Sequence, residues 1–272
     1  MNTLRSDTVF SGQIPEIYDQ LMVPMIFAPY ANDMATRVTA LGPARVLETA
    51  AGTGVVTRAM AHALPVHVEI VATDLNQAML DRAASIAIDR PVTWQQANAL
   101  QLPFDDASVD AVVCQFGAMF FPDKAAAFAE ARRVLKPGGT LLFSVWDRIE
   151  ENEFADTITG ALRRVFPADP PLFMERTPHG YFDATLISRD LAAGGFDAPP
   201  RFDTVTARSH ATSARAVAFA YCQGTPLRGE IDARSGANLE EATSACAAAI
   251  EGRFGSGPVD GKIQAHVITV PR

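Results

Sequence analysis

The chain of 272 residues allows one large domain or two small ones, and it can bury a full core without disulfide or metal staples. Hydrophobic residues make up 48% and charged residues 20%, a composition that is typical of globular proteins and excludes a disordered chain. The net charge of −8, with no long basic run, argues against nucleic acid or an anionic membrane as a partner.

Cysteine usage and hydropathy predict a cytoplasmic protein without a metal site. Cys114, Cys222 and Cys246 lie far apart, and no Cys or His spacing suited to zinc occurs. Such usage fits a reducing compartment. The N-terminus lacks the apolar core of a signal peptide, and no stretch approaches about 18 apolar residues without charge, so we expect no membrane span.

Short β-branched runs alternate with alanine-rich helical runs, which predicts an α/β fold with parallel strands. The N-terminal segment predicts two helices. One carries Ile14, Ile17, Tyr18, Leu21 and Met22 on one face, and the other covers 31–41. Strands are then predicted at 44–48, 66–73, 92–96, 109–115, 140–145, 202–207 and 262–270, and helices at 54–63, 77–88, 124–135 and 240–253.

A small-residue turn follows the first strand of the sheet. The segment 46–54 reads VLETAAGTG, in which a hydrophobic strand ends at Glu48 and the turn contains Gly52, Thr53 and Gly54. Glycines there allow backbone to approach a ligand closely and to take a positive φ. The turn is either a plain strand-to-helix connection or a nucleotide site at the carboxyl end of the first strand.

Polar residues also end the next strands. Asp74 closes the second strand, where an acid can accept both ribose hydroxyls of a nucleoside or cap the following helix. Asn98 and Ala99 follow the third strand, and the Asn98 amide suits an adenine edge or a turn. Gln115 and Phe116 end the fourth strand. All these strand-end residues lie at the same edge of the predicted sheet.

Together these motifs resemble the class I S-adenosylmethionine-dependent methyltransferases, in the quinone-biosynthesis-like branch of the methyltransferase domain 11 type. The E-x-A-x-G-x-G loop is similar to the first motif of the family, and Asp74 matches its ribose-binding acid. Asn98 and Ala99, with the Leu-Pro-Phe of 102–104, resemble the adenine-contact segment. The segment 133–139, RVLKPGG, resembles the marker before the fifth strand.

The resemblance covers residues 12–147 well and implies a Rossmann-like, doubly wound sheet of seven strands. The sheet is expected to be mostly parallel, with an antiparallel last strand. It implies an N-terminal helical lid (1–42), an S-adenosylmethionine-binding core (43–147) and a completing part with helical insertions (148–272), all in one structural domain. The lid residues are Tyr18 with Asp19 and Phe27 to Tyr30. Tyr18 and Tyr30 either contact the methionine end of the cofactor or are core aromatics.

The implied function is methyl transfer from S-adenosylmethionine to a small molecule at oxygen, nitrogen or carbon, with S-adenosylhomocysteine as product. Glu48 suits the cationic methionine end, and Leu75 and Met79 would sandwich the adenine. Two positions depart from the family pattern. Ala50 replaces its first glycine, which we expect to be tolerated at a negative φ, and Asn98 replaces a frequent Asp.

The acceptor side is less distinct. His179 is a candidate base and Tyr181 a second catalytic candidate, although a lone loop histidine is more often structural. Met119, Tyr221, Gln223 and Arg228 are candidate acceptor-binding residues. The apolar run at Phe116 and 119–121 favours a hydrophobic acceptor, and core packing explains it equally well. The quaternary state is predicted to be a monomer or a homodimer.

Two other functions share part of this pattern. A nicotinamide-dependent oxidoreductase also has a strand-glycine-helix unit and an acid after its second strand, but its fingerprint requires glycine where this chain has Thr57. The second alternative is a non-catalytic module that binds S-adenosylmethionine and acts through a partner. An intact cofactor site beside a blocked acceptor pocket would distinguish this module.

Overall fold

The computed structural model describes residues 7–8, 10 and 12–272. Over these residues one seven-stranded sheet has the order β3-β2-β1-β4-β5-β7-β6. The strands are β1 Arg45–Glu48, β2 Glu69–Asp74, β3 Thr93–Gln96, β4 Val109–Gln115, β5 Leu135–Trp146, β6 Arg201–Ala211 and β7 Val259–Pro271. Because the chain order reverses between β1 and β4, the carboxyl ends of these two strands flank the crevice where such sheets bind ligands.

Helices connect the strands. They are α1 Ile14–Ile17, α2 Ala28–Leu41, α3 Val55–Ala63, α4 Gln77–Ala84, α5 Lys124–Val134, α6 Glu153–Val165, α7 Phe173–Arg176, α8 Ala184–Ala193, α9 Ala214–Gln223, α10 Leu227–Asp232 and α11 Leu239–Phe254. A π-helix, Tyr18–Phe27, joins α1 to α2, and short 3₁₀ turns cover Ala118–Phe120 and Ile149–Glu151. Within the described residues, every helix is too short or too polar to span a membrane.

Strand direction confirms the predicted sheet. β1 pairs in parallel with β2 and β4, β2 with β3, and β4 with β5. β7 runs the other way: Asp147 N–H donates to Gln264 O at 3.1 Å, whereas Arg272 N–H donates to Gly139 O at 2.8 Å. Residue numbers thus fall along β7 as they rise along β5, which makes the last strand antiparallel, as predicted.

The chain folds into two compact units, and each has its own core. Unit 1 comprises Met1–Phe27, Trp146–Gly180 and Thr206–Ala265; within it α9 packs on α11, and α11 on α6. Unit 2 comprises Ala28–Val145, Tyr181–Val205 and His266–Arg272. In this unit, a hydrophobic cluster packs α2 and α3 on the sheet through Met34, Val46, Met60, Ile70 and Val113, among others.

Several elements differ from the sequence prediction in their bounds, and three of these differences have a clear physical reason. The expected 3.6-residue face over 14–22 is wrong, because a π-helix begins at Tyr18. Pro24 inside that helix lacks an N–H and would clash with the carbonyl four residues earlier in an α-helix. α4 ends at Ala84, where Ser85 bonds back to the last turn through its N–H and its hydroxyl. β5 begins at Leu135, before the Lys-Pro-Gly-Gly segment, and accommodates that segment by a shift of register against β4.

Candidate functional site

Glu48 ends β1 as a buried acid. Its side chain is 1% exposed, and the Thr57 hydroxyl of α3 donates to its Oε2 at 2.6 Å. Burial raises the pKa of Glu48 to about 8, although the Thr57 bond and the nearby Arg58 charge oppose the rise. Glu48 therefore holds a proton at neutral pH in this structure, and a cationic group placed beside it would favour the loss of that proton.

Asp74 joins the end of β2 to the glycine turn. Its Oδ2 accepts from Gly52 N–H at 2.8 Å and its Oδ1 from Asn76 N–H at 2.8 Å. The predicted capping role is not seen, since Asn76 is the N-cap of α4. Burial raises the pKa of Asp74, whereas these backbone bonds lower it. The Asn76 side-chain amide also donates to Asp74 Oδ1, at 3.5 Å, and this long bond is the one that a hydroxyl group would replace.

The backbone is strained on both sides of the switch point. Ala50 has φ +53° and Phe116 has φ +54°, so the negative φ that would make an alanine easy to accommodate at position 50 is not found. The turn needs the left-handed conformation there, which an alanine adopts at about 1–2 kcal/mol. Gly117 lies against this turn, because a Cβ on it would come within 2.4 Å of the Ala50 Cβ. Strain of this kind clusters at ligand sites, where the surrounding structure holds it.

The turn also carries a buried hydroxyl that lacks a partner. Thr53 is 1% exposed, and its Oγ1 makes no hydrogen bond to the residues that the structure describes. Gly54, which follows it, has φ +82°, and a Cβ there would lie 2.7 Å from the indole of Trp94. A polar atom that is buried without a partner indicates a missing hydrogen-bonding group at this position.

Residues of the predicted adenine region lie at the ends of β2 and β3. Leu75 is 50% exposed, whereas Met79 is buried in α4. Asn98 Oδ1 accepts from Leu100 N–H at 3.0 Å. That bond fixes the side-chain orientation, so the Asn98 NH₂ group is the one left to donate outward. Ala99 lies beyond it and lines a small apolar cavity of about 10 Å³.

Aromatic and polar side chains of unit 2 complete the surroundings of the switch point. Gln115 is the last residue of β4, directly before the strained Phe116. Tyr30 is 1% exposed, packs edge-on to Phe116 at 5.3 Å between ring centroids, and donates its hydroxyl to Val205 O at 3.2 Å. Tyr30 is therefore a core aromatic residue whose hydroxyl group is hydrogen-bonded.

Tyr18 and His179 belong to unit 1, in one row of rings. Tyr18 stacks on Phe27 at 4.9 Å, Phe27 lies 6.0 Å from Trp146, and Trp146 lies 6.1 Å from the His179 ring. His179 Nδ1 is 2.8 Å from Asp147 O, so Nδ1 carries the hydrogen and Nε2 the lone pair. Burial lowers the pKa of His179 to about 4, which keeps the imidazole neutral.

The other acceptor-side candidates have structural contacts. Tyr181 donates to Asp190 Oδ2 at 3.0 Å beneath the Lys124 ammonium, and burial raises its pKa. Tyr221 is buried in α9, and burial raises its pKa as well. The remaining contacts are Gln223 with Thr243 at 3.4 Å, Arg228 with Asp232 at 3.7 Å, and the Met119 carbonyl with Lys124 at 3.3 Å. Their roles towards an acceptor stay predictions.

Comparison with known proteins identifies the central segment. A family described as a methyltransferase domain matches residues 47–143. Residues 47–143 are thus similar to a methyltransferase domain. The resemblance that the motifs indicated is thereby confirmed for this segment, which holds the glycine turn, Asp74, Asn98 and Gln115.

Two curated relatives and one solved structure match parts of the chain. Demethylmenaquinone methyltransferase of Deinococcus radiodurans is 41% identical over 110 residues, 40% of this chain and 45% of that protein. A ubiquinone/menaquinone biosynthesis C-methyltransferase of Idiomarina loihiensis is 34% identical over 126 residues, 45% of this chain and 47% of that protein. The chain thus spans under half the length of these relatives. YcgJ of Bacillus subtilis has a TM-score of 0.55 at 18% identity, over 90% of this chain and 98% of that one, which shows the fold alone.

Two residues of the methyltransferase domain escaped the sequence reasoning. Thr57 supplies the hydroxyl that bonds Glu48, and the signal for it was its position where a dinucleotide fingerprint has its third glycine. Arg58 Nη1 donates to Thr53 O at 2.6 Å and so braces the turn. One turn of α3 therefore supports both the acid and the loop.

Proposed function

We propose that the protein transfers the methyl group of S-adenosylmethionine to a small-molecule acceptor. The observation that carries this proposal is the bond between Asp74 and Gly52 N–H, which unites the ribose-type acid and the glycine turn in one site at the switch point. The methyltransferase domain at 47–143 and the names of the two relatives support the same reaction.

The residues present fit this cofactor. Thr53 offers a buried hydroxyl without a partner among the described residues, and a ribose hydroxyl would replace the long bond from the Asn76 amide to Asp74 Oδ1. Leu75 offers an exposed apolar surface for a purine face. The cofactor carries no phosphate, which agrees with a turn that contains no lysine.

The protein's part in the transfer is to bind, orient and exclude water. The sulfonium methyl is electrophilic, so the cofactor supplies the leaving group and the acceptor supplies the electron pair. Asp74, the glycine turn and Leu75 would hold the adenosyl part, and Glu48 at the end of β1 would favour the cationic part. Alignment and a dry pocket supply most of the acceleration in such displacements. A general base is needed only for an acceptor that keeps its proton.

The acceptor is proposed to be a small hydrophobic molecule, and a quinone precursor is the first to test. The names of the two relatives refer to demethylmenaquinone and to ubiquinone or menaquinone biosynthesis. His179 would serve as a hydrogen-bond acceptor through Nε2 rather than as a strong base, since its pKa is about 4. A cytoplasmic location stays a prediction that rests on cysteine usage, and the oligomeric state stays open between monomer and homodimer.

Ligand-induced stabilisation tests the cofactor. S-adenosylhomocysteine at about 100 times its dissociation constant should stabilise the protein by about 2.7 kcal/mol. The Asp74→Ala variant should lose this rise in melting temperature, and nicotinamide dinucleotide should cause none. A response to the dinucleotide alone would favour the oxidoreductase. Binding of S-adenosylhomocysteine without transfer to any tested acceptor would favour the non-catalytic module.

A further inference from the structure

We propose that Glu130 and Arg133 of α5, here called the clamp, are positioning residues for recognition of the adenine base. They would act through residues 97–104, here called the adenine segment. This inference rests on the proposed function, because it assumes that the ligand carries an adenosyl group. Glu130 and Arg133 lie outside the proposed cofactor-binding loops, and we expect them to contribute to cofactor affinity.

Arg133 bonds the backbone of the adenine segment directly. Its Nη1 donates to Phe104 O at 2.8 Å and its Nη2 donates to Leu102 O at 2.9 Å. The same guanidinium donates to Asp106 Oδ1 at 2.7 Å. One side chain therefore fixes two carbonyls of the segment and the residue that lies two positions beyond it.

Glu130 completes the clamp from the preceding turn of α5. Its Oε1 and Oε2 accept from Arg133 Nε at 2.8 Å and from Arg133 Nη2 at 2.9 Å, a bidentate pair. The same carboxylate accepts from Leu102 N–H at 2.7 Å. Both backbone groups of Leu102 are thus held by the clamp, and the Leu102 side chain is buried with 4% exposure.

The other end of the adenine segment is anchored at the ribose-type acid. Ala97 N–H donates to Asp74 O at 3.0 Å, and a tight turn follows in which Gln101 N–H donates to Asn98 O at 2.9 Å. Asn98 therefore lies on a short loop between two fixed points, one at β2 and one at the clamp. Release of the clamp would free one end of that loop and, with it, the direction of the Asn98 amide.

The clamp needs the shape of a guanidinium as well as its charge. Lysine has no planar fork and can satisfy only part of the set of carbonyls and carboxylates that Arg133 bonds. Bonding to Arg133 lowers the pKa of Glu130, so the pair stays ionised at neutral pH. Arg133→Lys thus removes the planar guanidinium group and keeps the positive charge. Glu130→Gln removes the negative charge and keeps an acceptor for Leu102 N–H.

The test compares two ligands that differ only at the base. Dissociation constants are measured by calorimetry for S-adenosylhomocysteine and for S-inosylhomocysteine. In the latter, N1 of the base carries a hydrogen and can no longer accept from the Asn98 NH₂ group. In Arg133→Lys, we expect affinity for the adenosyl ligand to fall at least about tenfold, as for loss of a charged hydrogen bond. The preference for adenine over hypoxanthine should shrink with it. Glu130→Gln should change both quantities in the same direction.

Arg37→Lys is the matched control. Arg37 in α2 also bonds two carboxylates, Asp33 at 2.6 Å and Asp203 at 2.5 Å, and it is similarly half-buried in unit 2. We expect this variant to lose a comparable amount of thermal stability with both dissociation constants unchanged. In the Asn98→Ala background, Arg133→Lys should weaken binding by much less, because the clamp acts through that residue.

The outcomes separate the two proposals. If the unaltered protein does not bind S-adenosylhomocysteine, the proposed function fails and this inference fails with it. If the unaltered protein binds and Arg133→Lys binds equally well, the clamp proposal alone is overturned. Equal loss of affinity for both ligands would also overturn it, because a general structural defect does not discriminate between the bases.

Discussion

Glu48 shows how a residue that the sequence marks as a ligand group can have a different charge state in the folded chain. A carboxylate at the end of β1 was expected to face a cation. The structure buries it against Thr57, and burial raises its pKa to about 8. The acid is therefore neutral at pH 7 until a positive charge replaces the lost hydration. Cofactor binding at Glu48 would then be coupled to proton release.

This burial predicts a pH dependence of stability. An unfolded glutamate has a pKa of about 4.3, so the folded state holds the extra proton between that pH and about 8. The contribution of Glu48 to the free energy of unfolding is fully present below pH about 4.3 and is lost as the pH rises through 8. Glu48→Gln keeps an acceptor for Thr57 and does not titrate. Its free energy of unfolding, relative to that of the unaltered protein, should therefore rise by about 1.4 kcal/mol per pH unit between pH 5 and 8.

Urea denaturation at several pH values measures this difference. Glu251→Gln is the control, since Glu251 is exposed on α11. Its unfolding free energy should follow that of the unaltered protein at every pH. Parallel curves for Glu48→Gln and the unaltered protein would contradict a buried, protonated Glu48.

The positions of the candidate site residues at the strand ends were predictable from the sequence, and the backbone conformation around them was not. Glu48, Asp74 and Asn98 were located because strand ends and polar residues coincide in the sequence. The positive φ of Ala50 was missed, because it depends on how the turn packs against Gly117 from another strand. The contacts of Arg133 were missed for the same reason: they join α5 to a loop about 30 residues earlier.

At the scale of elements, the hydrophobic pattern of the sequence predicts where the strands lie, whereas contacts with other parts of the chain determine where they begin and end. β4 was predicted with the bounds that the structure has. β5 starts earlier than its Pro-Gly signal suggested, because a shift of register lets the strand resume pairing at Thr140 after the irregular segment. The π-helix was unpredictable from a 3.6-residue period, since only Pro24 hints at it.

Helix α11 offers a clean test of local stabilisation. Asn238 Oδ1 accepts from Glu241 N–H at 2.9 Å, and Glu241 Oε2 accepts from Asn238 N–H at 2.9 Å, a capping box. Asn238→Ala should lower the free energy of unfolding by about 1 kcal/mol. Asn76→Ala is the matched control, because Asn76 is the N-cap of α4 without a side-chain capping bond. Equal losses in urea denaturation would show that the capping box contributes nothing.

At the scale of the whole molecule, each compact unit contains one of the two tryptophans. Trp94 lies in unit 2 and Trp146 in unit 1. Strands β5, β6 and β7 each contribute residues to both units. Because a strand shared by two cores cannot stay ordered in one while the other unfolds, we expect a single cooperative transition.

Single-tryptophan proteins test this expectation. Trp146→Phe leaves Trp94 as the reporter of unit 2, and Trp94→Phe leaves Trp146 as the reporter of unit 1. In each variant, the fluorescence midpoint in urea should coincide with the midpoint from circular dichroism. Fluorescence that changes at a lower urea concentration than the dichroism in either variant would indicate that the units unfold separately.

The position of β7 has a consequence for biosynthesis. β7 lies between β5 and β6, yet it leaves the ribosome after both of them. Until then, two long strands present unpaired backbone groups, and such edges readily pair with other chains. β5 and β6 therefore stay exposed until synthesis of β7 is complete. During that interval, the availability of chaperones, rather than the stability of the finished sheet, would determine the yield of folded protein.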